Sequence, residues 1–146
     1  MEKENEPSLL HRHNTETKGV GLVIKTDIKH VVLEIVGESE KITVLKLTTK
    51  GSPITIVQVY APTEVSSEEE VEDFYTKLEA TLDSFKSPMN LIIGDFNRKV
   101  GPRNHGDEEA VGPYGYGIRN ERRNSLIQFA HEFRLKTINT FSSEES

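Results

Sequence analysis

The chain contains no cysteine. That absence excludes disulfides, thiolate metal sites and a cysteine nucleophile, and it suits a reducing compartment. Long apolar runs are also lacking: none approaches the roughly 20 residues that span a bilayer, so no membrane partner is expected. The opening stretch from Met1 to Asn14 is charged and has no apolar segment of signal-peptide type. An intracellular place, nuclear or cytoplasmic, is the expectation.

What is present is polar but patterned. The 146 residues suffice for one domain with a core, and 34% are hydrophobic against 29% charged. The net charge of -6 is uneven. Residues 1–85 balance to -7 and residues 86–146 to +1. The acidic half argues against nucleic-acid binding through overall charge. Against that trend, Arg98, Lys99, Arg103, Arg119, Arg122 and Arg123 gather around one loop. Two readings of this cluster stand, a phosphate-meeting surface and a solvated rim.

Residues 1–18 read as a disordered lead, with His11 and His13 a solvated pair. From residue 19 the pattern turns to strands: Val20 to Ile24, Val31 to Val36, Ile42 to Leu47 and Ile54 to Tyr60. These are short β-branched runs separated by breaks short enough for hairpins, so an antiparallel meander is expected. After Ala61-Pro62 the period changes. Ser66 and Ser67 with Glu69 and Glu70 form a capping-box pattern. Val71, Phe74, Tyr75, Leu78, Leu82 and Phe85 then follow at helical spacing. Leu91-Ile92-Ile93 reads as a strand covered on both faces. Residues 96–119 form a long Gly- and Pro-rich loop of the kind that is functional or mobile. A second helix is expected over about 120–133, burying Leu126, Ile127, Ala130 and Phe133, and a last strand over 135–141. A tail follows at 142–146. Strand, helix and buried strand in succession indicate a layered α/β fold.

Candidate chemistry lies at strand ends. In extended chain, residues two apart share a side, so Asp95 and Asn97 would converge while Phe96 faces away. A carboxylate and an amide suit a hard cation, a polarised water or a phosphate oxygen. The same Gly94-Asp95-Phe96-Asn97 run also suits an Asx-turn that merely ends a strand. Tyr60-Ala61-Pro62-Thr63 likewise leaves a phenol and a hydroxyl at a strand exit. If the two strands run the same way in one sheet, these ends lie together.

The order Val59-Tyr60-Ala61-Pro62-Thr63, an amphipathic helix, Ile92-Ile93-Gly94-Asp95-Phe96-Asn97, then Asn120 and a helix with Leu126 and Phe129 resembles the endonuclease/exonuclease/phosphatase family. It is most similar to the apurinic-endonuclease-like domain of non-LTR retrotransposons (LINE elements) of the RTE/BovB type, over about residues 19–141. The resemblance implies a DNase I-like α/β fold, a two-sheet sandwich with outer helices. It also implies magnesium-dependent hydrolysis of DNA phosphodiesters. By motif, Asp95 would bind the metal and orient and help deprotonate the water, Asn97 would bind the scissile phosphate or hold the site's hydrogen-bond network, and Tyr60 would contact the phosphate or the developing charge. Thr63, Arg98, Arg119, Asn120 and Arg122 would bind phosphate or DNA.

The family pattern also includes an early Asn, a metal-ligand Glu, a late Asp and a closing Ser-Asp-His. None has a counterpart here; Glu16 follows no strand, and His131 falls within a helix as a surface residue. The expectation is therefore a partial sandwich, missing terminal strands, with weak or no activity alone. Completion by a protein partner or by missing chain segments, or a non-enzymatic domain that binds protein or DNA, are the alternatives.

Overall fold

The β-branched runs up to Tyr60 zip together because the gaps between them turn the chain straight back. In the computed structural model, which describes residues 20–117 and 123–142, β1 (Val32–Ser39), β2 (Ile42–Leu47) and β3 (Ile54–Tyr60) pair antiparallel in that order. β4 (Met89–Asp95) then adds to β3 in parallel, giving the order β1-β2-β3-β4. A parallel neighbour requires a crossover, and α1 (Glu68–Ser84) lies in that connection. The result is the α/β class expected, with the expected meander as its first part.

The start of α1 is set by its own sequence. The Ser67 hydroxyl accepts from the Glu70 amide at 3.2 Å, while the Ser67 amide donates to the Glu70 carboxylate at 3.1 Å. Three first-turn acids, Glu68, Glu69 and Glu70, complement the helix dipole. Ser67→Ala is expected to lower stability by about 1 kcal/mol, read as a shift of the urea midpoint with unchanged slope. The buried stripe is Val71, Phe74, Leu78, Thr81 and Leu82. Tyr75 and Phe85 are half-buried rather than buried. Thr81 interrupts the apolar periodicity, yet its hydroxyl donates to the Lys77 carbonyl at 2.7 Å and so carries no unmet polar group inward.

The helix end meets the sheet face that carries Thr55 and Lys46. The Thr55 hydroxyl donates to the Phe85 carbonyl at 3.0 Å, and the Lys46 ammonium stands 5.8 Å from the centre of the Phe85 ring. Val44, Val57 and Val59 share that face and are fully buried. The opposite face is less covered. Leu91 and Ile93 are each 45% exposed, where the sequence predicts burial on both sides. Consecutive apolar residues alternate between faces, so only Ile92, aligned with Val57, takes the helix side.

Two expected strands do not form. Val20 to Ile24 has no ladder; Val23 is fully exposed, and a 3-10 helix, Thr26–Val31, follows. β-branched composition favours extended backbone but provides no partner strand. Residues 135–141 reduce to a single bridge between Val111 and Thr137 and a 3-10 turn, Ile138–Thr140.

The chain divides into two compact units, Met1–Pro62 with Ser67–Phe96, and Thr63–Ser66 with Asn97–Ser146. The first holds the sheet and α1. The second contains α2 (Arg123–Glu132) and buries Val100, Ala110, Val111, Leu126, Ile127, Phe129 and Ala130. Phe133, expected inside, is half-buried against Phe129, their ring centres 4.8 Å apart. His131 is the penultimate residue of α2 and is half-buried, not a mid-helix surface residue. The lead over 1–18, residues 143–146, and Arg119, Asn120 and Arg122 lie outside the described residues.

Candidate functional site

In the first unit, register decides what meets. β3 and β4 run parallel with Tyr60 aligned to Asp95, so the phenol and the carboxylate leave adjacent strand ends on the same face. The strands lie about 4.8 Å apart by ordinary sheet spacing. The Ala61 amide extends the pairing by donating to the Asp95 carbonyl at 2.8 Å. Both side chains are exposed, on the face opposite α1. The carboxyl ends of parallel neighbours are where layered α/β folds open to ligands.

Gly94 makes this closeness possible. Its φ is +138°, and a Cβ there would sit 1.9 Å from the Val59 carbonyl oxygen. A side chain at 94 would wedge the strands apart just before Tyr60 and Asp95. Two residues back from Tyr60, on the same face, the Gln58 Oε1 is buried with no hydrogen-bond partner. Such an acceptor is a place for a water or a ligand donor.

Asn97, Thr63 and Arg98 belong to the second unit. The extended-chain argument for Asn97 does not reach it: β4 ends at Asp95, and Asn97 takes a left-handed φ of 49°. Asn tolerates that region through its short polar side chain, which outweighs the simple alternation rule. The Asn97 carbonyl accepts from Arg98 Nη1 at 3.2 Å. Arg98 is half-buried with its Nε buried and unpartnered, so it is no freely solvated rim residue. Thr63 is half-buried, and its carbonyl accepts from the Ser66 amide at 3.1 Å.

A polar knot at residues 104–111 went unforeseen. Asp107 is buried; its carboxylate accepts from the Asn104 amide at 3.1 Å, and its carbonyl accepts from the Ala110 and Val111 amides. The Asn-x-x-Asp spacing was the available signal. Beside it, the exposed Glu108 carboxyl is held below its ordinary range, first by its own backbone amide; desolvation opposes this, and the Gly106 amide and the charges of His105 and Arg103 add to the lowering.

Among the described residues no three acid or histidine side chains gather into a group able to hold a metal ion. At the paired strand ends Asp95 supplies a single carboxylate, whereas magnesium takes six oxygens. The donors among the described residues do not make a magnesium site by themselves. No helix among the described residues is long and apolar enough to cross a membrane.

The sheet and its exits define an α/β protein with a phenol and a carboxylate side by side at the carboxyl ends of two parallel strands. No family model matches the chain. Craniofacial development protein 2 of Bos taurus is 32% identical to it over 129 residues, covering 88% of this chain. Craniofacial development protein 2 of Tragulus javanicus matches to the same extent. The aligned segments are homologous, and the chain spans 22% of the length of these curated relatives.

Proposed function

We propose that this chain is a nuclease-type module of the endonuclease/exonuclease/phosphatase family that acts on DNA phosphodiesters. The observation that carries the reading is the register of Tyr60 with Asp95 at two parallel strand ends. The motif order through Tyr60-Ala61-Pro62 and Gly94-Asp95-Phe96-Asn97 supports it, and on the same motifs we assign the origin to an RTE/BovB-type retrotransposon endonuclease.

In this reading the Asp95 carboxylate orients a water and takes its proton as the oxygen attacks phosphorus, while the P–O bond to the departing sugar breaks and the released alkoxide takes a proton from solvent water. The Tyr60 phenol donates a hydrogen bond to a phosphate oxygen, countering the charge that builds there. The Asn97 amide and the Thr63 and Arg98 side chains are assigned to phosphate or DNA contact, as are Arg119, Asn120 and Arg122. Magnesium, when bound, would neutralise the phosphate and acidify a water. With Asp95 as the one ligand assigned among the described residues, slow turnover is expected from this chain alone.

The test is incision of an end-labelled duplex with one abasic site, in magnesium and in chelator. Slow, chelator-sensitive cutting is the expected result. Chelator-resistant cutting would overturn the magnesium assignment. DNA bound but never cut would make the module a non-enzymatic interaction domain.

A further inference from the structure

Tyr116 is 90% exposed, the most exposed aromatic side chain among the described residues. Exposed rings are ordinary on loose loops, but the backbone beneath this one is tied down. The Tyr116 carbonyl accepts from the Gly101 amide at 2.9 Å. The Tyr114 amide donates to the Thr140 carbonyl at 2.9 Å, and the Gly112 amide donates to the buried Thr140 hydroxyl at 2.7 Å. Gly115 leaves no room for a Cβ, which would lie 1.9 Å from the Gly101 carbonyl oxygen. Gly117 has a φ of +102°, and its absent Cβ would fall 2.8 Å from Lys99 Cβ and 3.0 Å from Lys99 Cδ. The Lys99 stem therefore runs against Gly117, next in the chain to the ring. A loop tied down at these points presents an aromatic ring to solvent, with the aliphatic stem of Lys99 against the next residue in the chain.

We infer that Tyr116 and Lys99 form a stacking contact for unpaired nucleotides, the ring taking a base and the ammonium an adjacent phosphate. Every base has a π-face, so such a contact grips single strands without reading sequence, and cations strengthen it. A protein-binding hot spot would instead be set among apolar neighbours. Here the ring's chain neighbours are Gly115 and Gly117, and the Lys99 stem against Gly117 ends in a charge. The loop is anchored through Gly101, four residues after Asn97, a tether of about 14 Å at full extension. The inference rests on the proposal that the chain acts on polynucleotides, and it adds that unpaired or unstacked nucleotides are the preferred substrate.

The experiment measures binding in chelator, where no strand is cut. Fluorescein-labelled dT15 and a blunt duplex are titrated with the full chain and with Tyr116→Ala, Tyr116→Phe and Lys99→Ala. Tyr116→Ala is expected to weaken dT15 binding roughly five- to hundredfold, while Tyr116→Phe, which keeps the ring, stays within about twofold. Lys99→Ala should weaken binding and flatten the salt dependence by about one charge's worth. The chain has no tryptophan, so its tyrosine emission can be followed directly. A dT15-induced quenching that disappears in Tyr116→Ala is the signature of stacking. Equal binding by wild type and Tyr116→Ala, loss with Tyr116→Phe equal to that with Ala, or tighter binding to duplex than to dT15 would each overturn the inference. Those results leave the incision assay untouched, and a failed incision leaves this binding readout intact.

Discussion

Gly94→Ala is expected to lower the stability of the first unit by about 3–5 kcal/mol, combining the strain of a non-glycine residue at positive φ with that of forced overpacking. The clash cannot be relieved by a side-chain rotation. The methyl would lie 1.9 Å from the Val59 carbonyl oxygen and 2.8 Å from its carbon. Val59 is itself buried in β3, which is held on its other side by the full ladder to β2. Relief requires β4 to part from β3 at the end bearing Tyr60 and Asp95. Urea unfolding checks this, with a large fall in midpoint. Gly51→Ala is the control, since nothing lies within 4 Å of its Cβ position, and it should shift stability by less than about 0.5 kcal/mol. A loss below about 1 kcal/mol for Gly94→Ala would mean that the two strands are not held in this register.

Asp95→Asn is expected to separate chemistry from folding. Asn keeps the size and one oxygen but loses the charge and the basicity that accepts a proton. If Asp95 orients and deprotonates the attacking water, the incision rate should fall by roughly 10³-fold or more, the scale seen when one member of a catalytic unit is removed. Stability should change by no more than about 1 kcal/mol, because Asp95 is exposed and its backbone carbonyl still accepts from Ala61. Single-turnover incision and urea unfolding on the same preparation provide both readouts. An unchanged rate would remove Asp95 from the mechanism, and a large loss of stability would make the residue structural.

Some of this architecture was legible from local pattern. Alternating β-branched residues in β2 and β3 and the helical stripe from Val71 to Leu82 each carry their period within a few residues. The Ser67–Glu70 reciprocal cap is encoded in four residues. Other readings failed where a partner had to be supplied from elsewhere. Val20 to Ile24 has strand composition but gains no ladder. Leu91 and Ile93 have core composition but lie on the less covered face of an edge strand. Tyr116 stands in a loop whose length and glycine content read as functional or mobile, yet nothing in the string showed which of its aromatics would face water.

The strand-end pair shows where the division falls. The sequence by itself determined the chemical inventory: a carboxylate after Gly94, a phenol before Ala61-Pro62, no thiol, and a capped helix between the two strands. The requirement for a side-chain-free position beside Asp95 was also present, as Gly94. Only the tertiary structure decided that Tyr60 faces Asp95 in parallel register, that both open on the face away from α1, and that the backbone turns left-handed at Asn97. The reason is physical. Composition, caps and periodicity act over a few residues, whereas register and burial depend on hydrogen bonds and packing between segments more than 30 positions apart in the chain.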